Sequence, residues 1–238
     1  MLKSQFIMKN LIHRCFSGEF MEGMLLPGEI ELCEEFKASR SPVRSALQAM
    51  ASKGIITIIP KKGSMINKLD KWNWLDGQIL DYISQEDTNP YFMKNLLIMR
   101  LTFEPNISAM SALTSDTSDL INIHSGYRLM LEGAEKNNRD IFLEGDILFH
   151  SSIVASCKNP FLSSMDSLLS TAMKLSLDKT LEIDIHSHLP ALNRHKMLLE
   201  AIRCRNPDLA RNISREIILS AIKRVTNDEK FEELAINI

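Results

Sequence analysis

The chain has 238 residues, of which 45% are hydrophobic and 24% are charged, and its net charge at pH 7 is −2. This composition is typical of a globular protein with a sizeable core, and the length is sufficient for two domains. It excludes a protein that binds polyanions through its whole surface. No stretch approaches the roughly 20 apolar residues of a membrane span, and the first residues do not resemble a signal peptide. We therefore predict a cytoplasmic protein without a membrane partner.

The charged residues and the cysteines are distributed in ways that constrain function. The first 69 residues contain ten lysines and arginines and six acidic residues, so this part is basic while the remainder is acidic. A basic N-terminal part predicts contact with an anionic partner. The four cysteines are scattered without a CxxC spacing, which predicts reduced and mostly buried thiols.

The first 67 residues predict three helices followed by a β-hairpin. Apolar residues recur at helical spacing from Ser4 to Phe16, and a short second helix follows Pro27. Either Ser39 or Ser41 can cap a third helix, which ends at Gly54. The segments IITIIP and SMIN then predict two strands around a tight turn. This order of elements predicts a helix-turn-helix with a hairpin.

Basic residues lie at the two points of this unit where a DNA-binding protein needs them. Arg40 and Arg44 are four residues apart, so on a helix they share one face and can reach base edges or phosphates in the major groove. The turn at the hairpin tip adds two lysines and a glycine that can approach a phosphate backbone. The alternative is a solvated helix with two ordinary surface arginines. The candidate DNA contacts are Ser39, Arg40, Ser41, Pro42, Arg44, Lys61, Lys62 and Gly63.

The rest of the chain predicts helices only. We predict them over residues 89–113, 118–136, 140–156, 160–181, 189–203 and 207–225, separated by capping signals such as TSDTSD and NPD. The segment 68–77, which contains WNWLD, is predicted to be a linker that docks on the second domain. The predicted domains are thus 1–67 and 78–225, and the tail 226–238 is either a short helix or frayed.

Two pairs of polar residues in the helical part are candidates for a binding site. Asp146 and His150 share one helical face, where a carboxylate and an imidazole can bind one metal ion, and His195 can supply a third ligand. Each of these residues alone is more often a core or surface residue. Arg100 and Glu104, again four apart, either form an ion pair within the helix or direct Arg100 toward a carboxylate in a pocket.

The segment LPGEIELCEEFKASRSPVRSALQAMASKGIITIIPKKGSMI resembles the winged helix-turn-helix of the GntR superfamily of bacterial transcription factors. The matching positions include Leu26–Pro27, Pro42–Val43–Arg44, Gly54 and Gly63. The resemblance implies that the third helix reads the operator and that the hairpin is the wing. The family often has a DNA-contacting arginine where this chain has Ile30, which predicts an altered operator or fewer contacts.

Residues from about 78 to 225 resemble the FCD ligand-binding domain of the FadR-type branch, through RLTFEP, GDILFHSSIVASCKNP and RHKMLLEAI. The resemblance implies an all-α bundle that dimerises and can hold a divalent metal, zinc or similar, on the Asp146, His150 and His195 set. Metal-binding FCD domains usually have one more histidine, and Ile217 stands at that position here. The metal is then either completed by the ligand or absent, and His186 or His188 is a possible substitute.

Within this branch, LCEEF, WNWLD and HKMLLEAIR are most similar to repressors of sugar-acid catabolism, which implies an aldonate such as D-galactonate as effector. We therefore predict a homodimeric repressor, not an enzyme, that binds an inverted repeat in double-stranded DNA and is controlled by a small carboxylate. One alternative is an FCD regulator that senses a lactate-like or acyl acid without metal. The other is a metal-dependent enzyme that uses the aspartate and the two histidines.

Overall fold

The computed structural model describes residues 2–83, 90–180 and 189–225, together with residues 231, 233 and 235. The chain divides into two compact units, residues 1–86 and residues 87–238. The predicted fold class, a small helix-turn-helix domain with a hairpin joined to an all-α bundle, is confirmed.

The first unit contains the predicted three helices and hairpin. They are α1 (Lys3–Phe16), α2 (Glu29–Glu35), α3 (Arg40–Ser52), β1 (Ile56–Ile59) and β2 (Gly63–Ile66). The strands are antiparallel, with Ile56 opposite Ile66. The core lies between α1 and α3, where Ile7, Leu11, Val43 and Met50 are fully buried. These residues recur at helical spacing, so burial of one face orients each helix.

The orientation of α3 follows from this burial. Val43, Ala46, Leu47 and Met50 form its buried face, so the arginines at its start are directed outward. Ser39 occupies the N-cap position with an extended backbone. Pro42 lies in the first turn, where a missing N–H costs no helical hydrogen bond.

The segment predicted as a docking linker packs on the first unit instead. Trp72 is 5% exposed, and its ring lies 5.7 Å from that of Phe16 in an edge-to-face contact. Lys53 Nζ lies 2.7 Å from Asp76 Oδ2. The segment is therefore part of the first unit rather than a separate linker, because this unit provides both an apolar site for Trp72 and an ion partner for Asp76. A further helix, α4 (Gly77–Ile83), follows and contacts α1.

The second unit consists of helices in its described residues. They are α5 (Pro90–Thr114), α6 (Thr117–Glu135), α7 (Arg139–Ser156), α8 (Pro160–Ser163), α9 (Asp166–Thr180), α10 (Leu189–Arg203) and α11 (Pro207–Val225). The single helix predicted over 160–181 is two helices, because the segment SSMDS contains residues that favour caps and turns over helix interiors. None of the helices in the described ranges is long and apolar enough to cross a membrane.

The helices α6 and α7 pack with their backbones in contact. A Cβ atom on Gly126 would lie 2.4 Å from the backbone nitrogen of Phe149, and one on Gly133 would lie 2.4 Å from that of Phe142. From the other side, a Cβ atom on Gly145 would lie 2.4 Å from the backbone nitrogen of Met130. Real Cβ atoms do not approach so closely, so these three positions require glycine. The contact fixes α7, which carries two of the candidate metal ligands.

The four cysteines are free thiols, as predicted. Only Cys157 is buried, while Cys204 is exposed and the other two are half-buried. The prediction that most of them are buried was therefore wrong.

Candidate functional site

The start of α3 presents the residues predicted to contact DNA. Ser39, Arg40, Ser41 and Arg44 are exposed, and Pro42 is half-buried. The Arg44 side chain is 60% exposed, and its Nε donates to Glu29 Oε2 at 2.8 Å. The unit therefore offers two arginines on the exposed side of a helix, as a major-groove reader requires.

The hairpin tip presents the predicted cations of the wing. Lys61, Lys62 and Gly63 are all exposed. The backbone N–H of Lys62 donates to Ile59 O at 3.0 Å, which closes the turn. Gly63 has a φ of 117°, a conformation that favours glycine over residues with a side chain. Two exposed lysines on a tight turn can reach phosphates.

Ile30 lies near the start of α3. It stands at the position where the family resemblance predicts an arginine. It is 62% exposed, and with Glu29 and Arg40 it lines one open groove. The chain thus places an apolar side chain beside the start of α3. The resemblance implies a DNA contact at this position, and an isoleucine cannot form an ion pair with a phosphate.

In the second unit, α7 and α10 bring the three predicted metal ligands together. Asp146 and His150 face inward from α7, and His195 faces them from α10; all three are buried. One ligand atom from each lies within 4.8 Å of the others. The two Nε2 atoms are 3.3 Å apart, and Asp146 Oδ1 lies 3.1 Å from His195 Nε2 and 3.9 Å from His150 Nε2. Donor atoms around a tetrahedral zinc, with bonds of about 2.0 Å, lie roughly 3.3 Å apart.

The protonation of both histidines is set by their outer hydrogen bonds. His195 Nδ1 lies 2.8 Å from the carbonyl oxygen of Ala191, which can only accept, so Nδ1 carries the proton. His150 Nδ1 lies 3.1 Å from Glu104 Oε2, an ionised carboxylate, and must also donate. Each ring can then present its Nε2 lone pair beside Asp146 Oδ1 when a cation is bound, whereas in the metal-free protein His195 Nε2 can instead donate to that carboxylate oxygen at 3.1 Å. The outer partners hold the rings as they do in metal sites.

Arg100 and Glu104 form a buried ion pair within α5, which is one of the two predicted alternatives for these residues. Arg100 Nε donates to Glu104 Oε1 at 2.6 Å, and both side chains are 4% exposed. Burial opposes ionisation of Glu104, but the charges of Arg100 and His150 outweigh it and lower its pKa to about 2. Glu104 therefore contacts His150 as an orienting carboxylate. Arg100 also lines the pocket, so both of its predicted roles remain available.

Asp146 is held ionised in the same way. Its burial raises the pKa, but the hydrogen bond with His195 and the charges of His150, His195 and Arg100 lower it to about 2. An ionised carboxylate at neutral pH is the form that binds metal. Asp146 therefore has the protonation state that a divalent cation needs.

The ligands open onto a pocket that also contains two arginines, Arg194 and Arg224, which are not among the predicted site residues. The cavity is about 30 Å³ in volume, and its lining is Arg100, Phe142, Asp146, His150, Ser176, Ala191, Arg194, His195, Ile217, Ala221 and Arg224. Arg194 Nη2 and Arg224 Nη1 both donate to Ser220 Oγ, at 2.9 and 3.3 Å. Arg194 directly precedes His195 in the sequence, and Arg224 lies two turns after Ile217. Those spacings were the available signal.

These two arginines have no carboxylate partner in the described part of the chain. Arg194 Nε is buried and donates to no partner there, and neither arginine takes part in an ion pair among the described residues. Burial and the charge of Arg194 lower the pKa of Arg224, although its side chain is exposed at the rim. The pocket wall therefore carries positive charge that an anion can neutralise.

Ile217 lines the pocket. It stands at the position where the family resemblance predicts a fourth metal ligand. It is buried and offers no donor atom, so the described cluster has three protein ligands. His186 and His188, the predicted substitutes, lie outside the described residues. A three-ligand site leaves coordination positions open for water or a chelating anion.

Comparison with known families identifies both units. The gntR family of bacterial regulatory proteins matches residues 3–66, and the FCD domain matches residues 95–220. The chain belongs to the gntR family and carries an FCD domain. The predicted family is thereby confirmed, and the matched ranges contain the α3 arginines and the buried cluster.

Individual gntR-family relatives cover most of the chain. The galactonate operon transcriptional repressor of Escherichia coli (strain K12) is 29% identical over 217 residues, which are 91% of this chain and 92% of that protein. The HTH-type transcriptional repressor NanR of Klebsiella aerogenes is 26% identical over 211 residues, 87% of this chain and 79% of the relative. The relatives are transcriptional regulators, so this chain is a regulator and not an enzyme.

Solved structures show the same fold. The structure described as Lar, which controls expression of the Listeria monocytogenes agr system, has a TM-score of 0.64 at 15% identity and covers 94% of this chain and 97% of its own. Streptococcus agalactiae GntR has a TM-score of 0.51 at 21% identity, with 92% and 99% covered. At these identities the likeness concerns the fold alone.

Proposed function

We propose that the protein is a homodimeric repressor that binds inverted half-sites of double-stranded DNA and is controlled by a sugar acid, D-galactonate or a related aldonate. The observation that carries the proposal is the pocket, in which three candidate metal-ligand atoms lie near two arginines that have no carboxylate partner among the described residues. A metal ion can bind the three ligand atoms, and an anion can neutralise the two arginines. A 2-hydroxy acid has the chemistry to contact both.

In this proposal Asp146, His150 and His195 hold a divalent metal, zinc or similar. Metal, when bound, supplies a Lewis-acidic centre with open coordination positions. Glu104 and the Ala191 carbonyl keep the two rings oriented toward it. The distances among the three ligand atoms fit one ion.

The carboxylate end of the effector is assigned to the arginines. Arg194 and Arg224 approach one hydroxyl, Ser220 Oγ, from two sides, so their guanidinium groups are held close together. A carboxylate accepts two parallel hydrogen bonds from a guanidinium, which makes arginine suited to acid ligands. The family relative named a galactonate operon repressor supports a sugar acid as the ligand class.

The size of the pocket connects ligand binding to conformation. A volume of about 30 Å³ accommodates roughly two water molecules, far less than a six-carbon acid. Binding therefore requires the pocket walls to separate. A ligand that binds only the separated arrangement shifts the protein toward it, and this shift can alter the spacing of the DNA-binding units.

The DNA-binding half of the proposal is tested by two substitutions with different expected effects. Arg44→Ala should lower affinity for the operator by roughly 5- to 150-fold and relax preference at one base pair, as loss of a base contact does. Lys62→Ala should weaken binding to every sequence and reduce the dependence on salt, as loss of a phosphate contact does. Fluorescence anisotropy on labelled duplexes at several salt concentrations measures both. Operator affinity that Arg44→Ala leaves unchanged would remove α3 from base recognition.

The effector half is tested by calorimetric titration of D-galactonate into metal-free and zinc-loaded protein. We expect tighter binding to the zinc-loaded form, because the acid fills coordination positions that Ile217 cannot. Linkage requires galactonate to tighten zinc binding by the same factor. Equal affinities in the two preparations would favour a metal-free acid sensor, and no binding by any aldonate would exclude this effector class.

A further inference from the structure

Glu29 and Arg44 join α2 to the exposed side of α3. Arg44 Nε lies 2.8 Å from Glu29 Oε2, and the two side chains are 60% and 40% exposed. Glu31, two residues further along α2, is engaged differently, since its Oε2 accepts from the backbone N–H of Gly28 at 2.7 Å. Glu29 is therefore the acidic residue of α2 that is paired with α3.

The geometry leaves one edge of the Arg44 guanidinium available. With Nε occupied by Glu29, the two terminal nitrogens Nη1 and Nη2 remain for a planar, two-point contact. That fork matches the O6 and N7 acceptors of guanine in the major groove. An arginine without a partner samples many rotamers and can bind any nearby phosphate. A partner at Nε restricts the side chain to orientations that present the fork.

We infer that Glu29 is a positioning residue that orients Arg44 and thereby sets the base preference of the protein. The inference rests on the proposed function, in which Arg44 reads a base. The Glu29 charge acts in a second way, since it repels phosphates wherever Arg44 is not seated on its base. Both effects raise affinity for the operator relative to other DNA, which is the ratio that defines specificity.

Loss of the pair should not unfold the unit. Exposed ion pairs contribute little to stability, and the α1–α3 core that holds both helices is built from fully buried apolar residues. Glu34→Gln is a matched control, because it removes the same charge from α2 at an exposed position without a contact to Arg44. Thermal denaturation of each variant checks that the fold is retained.

The test uses the full-length protein and duplexes enriched by the wild-type protein from a random-sequence pool. Each enriched duplex is compared with its single-base-pair variants and with unrelated duplexes of equal length. We expect Glu29→Gln to reduce the ratio of enriched to unrelated affinity at least about fivefold, the lower end of what one good base contact contributes. Glu29→Gln should lose its preference at the same base pair at which Arg44→Ala loses it. Glu34→Gln should keep the wild-type preference at that base pair.

Two results would overturn the inference in distinguishable ways. If Arg44→Ala has no effect on the enriched duplexes, Arg44 reads no base and the proposed role of α3 fails with it. If Arg44→Ala weakens binding but Glu29→Gln keeps the wild-type base preference, the positioning role alone is wrong. A uniform gain in affinity for all duplexes in Glu29→Gln also overturns it, because it shows charge repulsion without orientation.

Discussion

Replacing His195 with alanine is expected to lower the zinc affinity of the protein by more than the roughly 10- to 100-fold that loss of an outer-shell partner costs. His195 is the only ligand that α10 contributes to the described cluster, and its Nε2 is 3.1 Å from Asp146 Oδ1. Without it, two ligands from α7 remain, too few for a tight divalent site. Competition with a chromophoric zinc chelator measures the change.

Comparison with neighbouring substitutions makes this result specific. His124→Ala removes an exposed histidine of α6, away from the cluster, and should leave zinc affinity unchanged. The zinc affinity of Glu104→Gln should lie between those of His124→Ala and His195→Ala. This substitution keeps every ligand and weakens only the partner that orients His150. Zinc affinity that is equal in wild-type protein and His195→Ala would place any bound metal outside the cluster.

The metal-free protein is expected to lose stability steeply as the pH falls from about 4 to about 2. Glu104 and Asp146 have folded-state pKa values of about 2, below the values near 4 that carboxyl groups have in unfolded chains. A lowered folded-state pKa contributes stability above the unfolded pKa, and that contribution is lost as protons bind the folded form. At about 1.4 kcal/mol per pKa unit, each carboxylate contributes on the order of 2 to 3 kcal/mol.

Urea unfolding at pH 5, 4 and 3 with a chelator present measures this loss. Far-UV circular dichroism follows the helices, while the fluorescence of Trp72 and Trp74 reports on the first unit, since the chain has no other tryptophan. Glu104→Gln should destabilise the protein at pH 5 and flatten the dependence on pH. Glu144→Gln, which removes an exposed carboxylate of α7, should retain the wild-type dependence of stability on pH. A wild-type stability independent of pH over this range would contradict the buried ion network.

Local spacing predicted some of the site, and the remainder depended on tertiary contacts. Asp146 and His150 lie four residues apart on one helix, so their shared face was visible in the sequence. The same spacing made Arg100 and Glu104 ambiguous, since no local pattern shows that Glu104 meets the ring of His150. That contact joins α5 to α7 and requires the folded bundle.

The missed features have the same origin. Arg194 and Arg224 come from α10 and α11 and become one positive surface only because both approach Ser220. The segment that contains Trp72 was expected to dock on the second domain, and no local pattern shows that the ring of Trp72 contacts Phe16, far earlier in the chain. Element type follows from periodicity, while the choice of packing partner follows from the whole core.

The glycine contacts between α6 and α7 make these helices one mechanical part. Sliding one helix along the other would drive backbone atoms at Gly126, Gly133 and Gly145 into side chains or neighbouring backbone, so the pair resists shear. Asp146 and His150 belong to this part, whereas Arg194 and His195 belong to α10. A ligand that separates the pocket walls must then displace α10 or its neighbours against a fixed reference. If the proposed function holds, we expect transmission of the effector signal to begin on the α10 side of the pocket.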